Sequence, residues 1–598
     1  MHANYSFRYD TQDKVVRTAP AEYSTEPGVI IPVTGDLFKN KLRQRNNSEY
    51  YHMVDAYLSY DNTFNHHHIR GLVGFNYEQD YQKNLYSTMM DIQSNNLNDF
   101  NLGNHTEGVS LEGGQYEWAL ESFFGRVGYD WKGRYLAEVN LRWDASSRFR
   151  RDKRAAVFPS VSAGWRVSEE PFFAPIRNTF SNFKIRGSFG SLGNQAISSP
   201  YPYIQTLDLL QQNYLVNGEF LTYASVSAPT AGNFTWETVV HGNLGLDLGF
   251  FNNRLTFAGD LYIRDTKDML VPGKTLPGVY GAASPKENAA DLRTKGYELT
   301  LSWNDKFNLA GKPFTYGVSF ALGDNISKIT KYDNPTKDFN VSQYYEGMTI
   351  GEIWGYQIDG LFKTDEEAAA YQAEIDHSLI AKNILQTATG KYKGLKAGDP
   401  KFVDLDGNGR IDDGEKTANN RGDMRVIGNS RPRYNYSGSI NLGWNGFDIS
   451  AFFQGVGRQH RYPDGNAMLF WGGYARPYSS FVPEHFLDDV WSEDNPDAYF
   501  PKLRGYAAQG DRHLAKVNNR YLQNTAYCRL KNLTVGYTLP VDLTRKARID
   551  RVRVYFSGDN LVTWTALKSK YIDPEQFSTD GSARVYPFAK TFSFGLDI

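Results

Sequence analysis

Residues Asp404 to Glu415 read Asp-Leu-Asp-Gly-Asn-Gly-Arg-Ile-Asp-Asp-Gly-Glu, a dense run of oxygen donors. Asp404, Asp406 and Asn408 take positions 1, 3 and 5 of a twelve-residue loop. Gly409 takes position 6, Asp412 position 9 and Glu415 position 12. This is calcium-loop spacing, with the backbone carbonyl of Arg410 at position 7. A hard cation gathers six to eight oxygens around one point, and this spacing wraps the chain to supply them. The competing reading is an Asx-rich turn without an ion. Lys401, Phe402 and Val403 lead in as a strand, which argues against a helix–loop–helix sensor. A bound Ca2+ is therefore expected as a structural clip for a long loop, with no catalytic role.

A second candidate set is aromatic. Trp471, Tyr474, Tyr478 and Phe481 fall in one long polar segment. Such rings either stack on a ligand or partner at a surface, or pack the segment on itself. Arg142, Arg166, Arg186 and Arg264 sit on polar strand faces, where they line a path or carry ordinary solvated charge. His66, His67 and His68 are adjacent, so they do not converge on one ion within a strand and read as a turn. The chain contains no H-E-x-x-H, G-x-S-x-G or Walker pattern, so an enzyme is not expected.

The elements that carry these groups are strands. From Tyr135 to Asp144, Tyr135, Ala137, Val139, Leu141 and Trp143 share one face. Leu136, Glu138, Asn140, Arg142 and Asp144 share the other. Tyr135 and Trp143 bracket the apolar row about 26 Å apart at roughly 3.3 Å per residue. A tilt of about 40° projects that to about 20 Å, near the roughly 25 Å apolar band of an outer-membrane barrel. The unit recurs at 69–77, 161–167, 183–189, 244–250, 255–263, 297–303, 314–320, 434–453, 533–539, 552–556 and 592–598.

Connection length sorts the class. Short links fall at Phe64–His67, Lys132–Gly133, Ser168–Asn182, Asn252–Asn253, Asn304–Lys312, Asn445–Gly446 and Val541–Asp550, and long ones separate them. Short periplasmic turns alternating with long extracellular loops mark a transmembrane antiparallel β-barrel. An all-β fold of about sixteen strands is expected. Its extracellular loops are expected near 80–115, 192–236, 266–292, 325–430, 459–524 and 564–588. Within 325–430, Thr364-Asp365-Glu366-Glu367 is a capping box opening a short helix.

Composition agrees. Aromatics are 15% of the 598 residues, with 40 Tyr and 54 Gly. No run of about 18 apolar residues exists, which excludes transmembrane helices and leaves a barrel open. Net charge is −2, from 65 basic and 67 acidic residues, and nothing suggests nucleic acid. The single Cys528 rules out an internal disulfide. The first residues lack the basic and apolar regions of a signal peptide.

Several segments resemble the SusC/RagA family of TonB-dependent outer-membrane transporters: EVNLRWDASSRF, FPSVSAGWRVSEEPFF, KIRGSFGSLGNQ, NLGLDLGFFNNRLTFAGDLYIRDTKDML, GEIWGYQIDGLFKTDEE, FVDLDGNGRID, YLQNTAYCRLKNLTVGYTLP and VYFSGDNLVTW. They occur in family order from about Phe64 onward. The resemblance implies a barrel of twenty-two strands, an internal plug, a TonB-contacting segment and a SusD-like surface lipoprotein over the external mouth. Neither plug nor TonB segment is recognised, so residues 1–598 are expected to be the C-terminal part of such a barrel. The implied function is outer-membrane import of oligosaccharides or peptides. The alternative is a secreted or surface calcium-binding, glycan-binding or adhesion protein.

Overall fold

A computed structural model describes the chain except residues 34–39, 95, 107, 196, 198–200, 228, 231–233, 274–278, 280–283, 341, 343, 382–393, 478–481, 483, 570–571, 580–581, 583–585 and 587. Sixteen strands form the main sheet: β1 His2–Thr18, β2 Lys41–Phe64, β3 His67–Met90, β4 Ser110–Trp131, β5 Tyr135–Ser146, β6 Ala155–Arg166, β7 Phe180–Asn194, β8 Glu237–Phe250, β9 Leu255–Pro272, β10 Lys286–Leu309, β11 Lys312–Lys331, β12 Arg433–Trp444, β13 Phe447–Arg458, β14 Tyr527–Thr538, β15 Arg553–Thr565 and β16 Thr591–Asp597. Their order in the sheet is their order in the sequence, an up-and-down meander. No helix among the described residues is long and apolar enough to cross a membrane.

Turn chemistry explains the tight links. A two-residue type I′ hairpin, whose twist matches that of the strands, needs positive φ at both residues. Asn445 and Gly446, between paired Trp444 and Phe447, have φ of 48° and 87°. Lys132 and Gly133, with φ of 55° and 68°, belong to a three-residue link through Arg134, since Trp131 pairs with Tyr135. The link expected at Asn304–Lys312 shrinks to two residues. The strands run on to pair Leu309 with Lys312, and Ala310–Gly311 makes the turn.

The chain divides into two compact units. The first comprises Met1–Ala163, Phe189–Val240 and Asp268–Asn288. Here β1 to β5 pair antiparallel in unbroken register. The usual burial logic is reversed. Along β5, Val139 is 55% and Leu141 53% exposed, whereas Asp144 on the opposite face is 7% exposed. Leu58, Val73, Phe123 and Val127 extend the exposed apolar surface across the neighbouring strands. Leaving such a side chain in water forfeits about 1.5–3 kcal/mol relative to burial. An unbroken surface of them requires hydrocarbon outside.

The strands of this unit outrun their apolar pattern. β3 continues to Met90 and β4 starts at Ser110, so the connection expected near 80–115 shrinks to residues 91–109. On the outward face of the β3–β4 pair the continuous apolar row ends at Phe75 and Phe123, beyond which Leu85 and Leu111 are isolated exposed apolar residues. Tyr77 with Glu121, and Tyr81 with Glu117, come next. Beyond the belt both faces are mostly polar, so the period-2 signal fades while the ladder of hydrogen bonds continues. The segment expected as a loop near 192–236 contains a hairpin, Leu207–Gln211 with Thr222–Val226.

The second unit comprises Gly164–Ser188, His241–Lys267 and Ala289–Ile598. Its strands repeat the pattern. Leu301, Val318, Phe320, Ile440, Ile449, Val535, Val554 and Phe594 are exposed. The polar face is ion-paired: Arg433 grips Asp324 through two bonds of 2.6 Å, and Arg553 holds Asp448 at 2.7 and 2.9 Å. A sheet with lipid on one side and water on the other has no interior of its own. The largest buried apolar cluster accordingly lies off the main sheet, in the segments after β11 and β13.

Candidate functional site

The segments following β11 and β13 fold together as one module. Tyr356 N–H donates to the carbonyl of Val517 at 2.9 Å, and Lys502 N–H to that of Gly398 at 2.7 Å. Short strand pairs, Glu352–Gly355 with Arg425–Asn429 and Ile358–Leu361 with Pro400–Phe402, stiffen the first segment. Helix α1, Asp365–Glu374, starts where the capping box predicts. The Thr364 side chain accepts from Glu367 N–H at 3.1 Å, and Glu367 accepts from Lys363 N–H at 2.8 Å. Asp399, with its side chain 2% exposed, is clamped by Arg504 through bonds of 2.7 and 2.6 Å.

The oxygen-rich loop is wound onto this module. Gly407 and Gly409 have φ of 74° and 80°, the left-handed conformation that lets the chain curl around one point. Asp404 accepts from Gly407 N–H at 2.7 Å and Gly409 N–H at 2.8 Å. Ile411 between the polar positions is buried in the module's core, and its N–H donates to the backbone carbonyl of Asp376, just past α1, at 2.8 Å. Loop and core are thus mechanically one piece.

Three carboxylates converge: Asp404, Asp406 and Asp423, with oxygens within 4.8 Å of one another. Asn408 lies beside them, its amide 3.3 Å from both Asp406 and Asp412. The Arg410 side chain pairs with Asp412 at 3.1 Å. Glu415, expected at position 12, is exposed and does not join the group. Asp423 comes in instead. Sequence spacing within a twelve-residue window had no means of reaching it. It is fully buried, accepting from Leu405 N–H at 2.6 Å and Asp412 N–H at 2.8 Å.

Burial, reinforced by the charges of Asp406 and Asp404, raises the pKa of Asp423 above the usual carboxylate range. Asp404 feels burial too, yet the N–H groups of Gly409, Gly407 and Asn408 hold its pKa below the ordinary value. Three crowded carboxylates, one of them resisting ionisation, fit a divalent cation, which stabilises all three charged forms at once.

The aromatic candidates are placed inward. Trp471 and Tyr474 are 0% exposed. Trp471 meets Phe470 edge-on at 4.7 Å and Tyr521 at 5.3 Å, and donates to the Pro463 carbonyl at 3.2 Å. Tyr474 stacks on Phe500 at 5.8 Å and donates to the Pro501 carbonyl. With rings packed and polar tips satisfied, they hold the segment on itself and offer no surface to a ligand. Tyr478 and Phe481 lie outside the described residues.

Among the polar-face arginines, Arg142 pairs with Asp144 at 2.7 Å and Ser122 at 2.8 Å. Arg186 bridges Asp260, through two bonds of 2.6 Å, and Asp247. Arg166 and Arg264 are exposed on β6 and β9. The histidines diverge: His67 meets Tyr129 at 2.7 Å and His68 meets Asp61 at 2.8 Å.

His513 is an internal titratable group that pattern reading did not reach. Burial pushes its pKa down to about 4, against an ordinary value of about 6.5. Below about pH 6.5 the unfolded chain therefore binds this proton before the folded chain does. Stability of the module is full above that pH and falls as pH drops towards 4. The loss levels off at about 3 kcal/mol, at 1.36 kcal/mol per unit. Thermal melting of the detergent-solubilised chain at pH 7.5 and 5 is expected to show the drop, and His513→Gln to shrink it. An equal drop in the variant would exclude His513 as its source.

The model of the family described as TonB dependent receptor-like, beta-barrel, matches residues 2–376. TonB-dependent receptor P3 of Formosa agariphila is 29% identical over 91% of this chain and 52% of its own length. TonB-dependent receptor SusC of Bacteroides thetaiotaomicron is 28% identical over 80% of this chain and 43% of its own. The chain spans about half the length of the curated relatives it matches. The solved RagAB peptide transporter superposes with a TM-score of 0.72 at 21% identity, over 96% of this chain and 57% of that one, which is a likeness of fold. With more than half of its residues matched by the family model, the chain belongs to the TonB-dependent receptor β-barrel family.

Proposed function

We propose that the chain forms the wall and external loops of an outer-membrane importer, driven through TonB and working with a SusD-like surface lipoprotein on oligosaccharides or peptides. The observation that carries this is the reversed face polarity. Apolar rows are exposed and paired charges line the opposite face, an arrangement suited to lipid outside and a wet path inside. Family membership supplies the transport class. The test is growth of the producing bacterium on defined oligosaccharides or peptides, with and without the gene and with and without TonB. Growth that ignores both deletions, or a protein that fractionates away from the outer membrane, would overturn the reading.

We also propose that Asp404, Asp406 and Asp423 hold a divalent cation, Ca2+ by its oxygen chemistry, with Asn408 and Asp412 at its edge. Its part is to fasten the loop to the module; it takes no part in transport chemistry. Calorimetry is expected to detect one Ca2+ in the wild type, none in Asp404→Ala, and an undiminished site in Glu415→Ala. Binding abolished by Glu415→Ala would restore the twelve-residue ligand set and displace Asp423.

A further inference from the structure

The apolar belt of the first unit holds two glycines that neither the strands nor their packing explain. Gly71 on β3 and Gly125 on β4 take outward positions among exposed Tyr60, Val73, Val127 and Leu141. Gly71 lies beside Tyr60 and Val127, and Gly125 beside Val73 and Leu141, so the two bare positions are diagonal neighbours. Together they open a furrow of about 910 Å³ with an almost wholly apolar lining. Glycine inside a strand marks a bulge, a bend or a backbone that something approaches closely. Here the register runs unbroken through both residues, and neither has the left-handed backbone that favours glycine. Crowding is no reason either. A Cβ on Gly71 would meet nothing closer than 4.0 Å, and one on Gly125 nothing closer than 3.7 Å. Gly74, on the opposite face, is the contrast, since a Cβ there would lie 2.5 Å from the Phe124 ring. The chain itself leaves room for larger side chains at 71 and 125, so the close approach is made from outside.

The surroundings fix the kind of occupant. Val127, beside Gly71, is four residues from Trp131, and Gly125 is six. At roughly 3.3 Å per residue and a tilt of about 40°, the two glycines lie about 10 and 15 Å deep from the level of Trp131. One leaflet is about 15 Å of hydrocarbon, half of a core about 30 Å thick, so a single acyl chain spans that depth. The shallow end suits a headgroup. Trp131 stacks on Tyr135 at 5.5 Å, and Lys132 Nζ lies 5.0 Å from the centre of the Trp131 ring. Lys132 is exposed and has no carboxylate partner among the described residues. From the furrow to the turns, the outward positions of β2 to β5 hold no Asp or Glu. Asp130 is on the hydrated face and accepts from Gly133 N–H at 2.6 Å. A cation at an aromatic rim, with an acid-free apolar furrow leading away from it, complements a phosphate that carries an acyl chain. A second copy of the chain fits less well. Meeting through the same patch, it would bring the same hollow, and two hollows do not fill each other.

We propose that the furrow at Gly71 and Gly125 seats one acyl chain of a phospholipid whose phosphate is held at Lys132. The seat requires hydrocarbon around the belt and is independent of what the chain transports. The experiment is native mass spectrometry of the full chain released from detergent. The probe is dioleoylphosphatidylglycerol, and dioleoylglycerol, which lacks the phosphate, is its comparison. One phosphatidylglycerol per chain is expected to persist after loosely held lipid is stripped, with dioleoylglycerol retained at least fivefold less. Gly71→Val combined with Gly125→Val fills the furrow with residues that suit a strand, and is expected to cut retention at least fivefold. Lys132→Asn is expected to do the same. It lies in a turn, and Asn tolerates the positive φ of that position, so the belt and the fold are left as they are. Failure to retain the phospholipid, equal retention of dioleoylglycerol, or unchanged retention in either variant overturns the proposal. So does a lipid-free dimer that the glycine replacements split, because the furrow would then belong to a second copy. Retention that stands while cellular uptake proves independent of the gene sinks the importer reading and leaves the lipid seat in place.

Discussion

Replacement of Trp471 by alanine is expected to destabilise the module built from the segments after β11 and β13 by about 3–5 kcal/mol, the range for removing a buried large aromatic. The ring is fully buried and touches Phe470, Phe500 and Tyr521, which are themselves fully buried. Its loss opens a cavity that three rings locked by one another do not readily collapse into. It also strands the Pro463 carbonyl that the indole N–H now satisfies. The effect is local, because the main sheet draws its hydrogen bonds from its own ladders. Hydrogen exchange should accelerate between residues 459 and 526 and at Tyr356 and Ile358, while β12 and β13 stay protected. Limited proteolysis should nick the same segment. An unchanged exchange pattern with a weakened carbohydrate or peptide affinity would mean that the ring faces a ligand after all.

A positive charge at the middle of the apolar belt is the second large effect. Val139 lies midway between Tyr135 and Trp143 on the exposed face of β5. Val139→Arg is expected to cost about 2–4 kcal/mol of folding free energy in lipid vesicles, the range for arginine at the midplane of a membrane strand. Asn140→Arg, one residue on, points to the hydrated face beside Arg126 and should cost far less, since that face already carries charge. Denaturant titration of the vesicle-folded protein gives both values. Equal costs on the two faces would mean that the belt meets something other than hydrocarbon.

These two substitutions divide what pattern alone reveals from what needed coordinates. The face of Val139 is legible because a strand's side chains alternate strictly, so polarity read at every second residue reports which solvent each face meets. Turn residues were legible for the same local reason: Asn445–Gly446 needs only its own φ angles to make a hairpin. Strand ends were less so. Before Ala310–Gly311 the apolar row is broken by Asp305 between Trp303 and Phe307, and the upper parts of β3 and β4 are mostly polar on both faces, so pairing partners define the strand there.

Long-range convergence stayed out of reach. Asp404 and Asp406 announce themselves by spacing, whereas Asp423 joins them because the loop folds back through hydrogen bonds to Leu405 and Asp412. Trp471 and Tyr474 read equally well as surface or core, because their burial depends on Phe486, Phe500 and Tyr521 elsewhere in the chain. The alternation and the loop motif were thus determined by the sequence itself, through contacts between residues a few positions apart. Which carboxylate completes the cation cluster and which aromatics are hidden were decided only by tertiary structure. Each of these depends on groups far apart in the chain, and local periodicity carries no record of such distances.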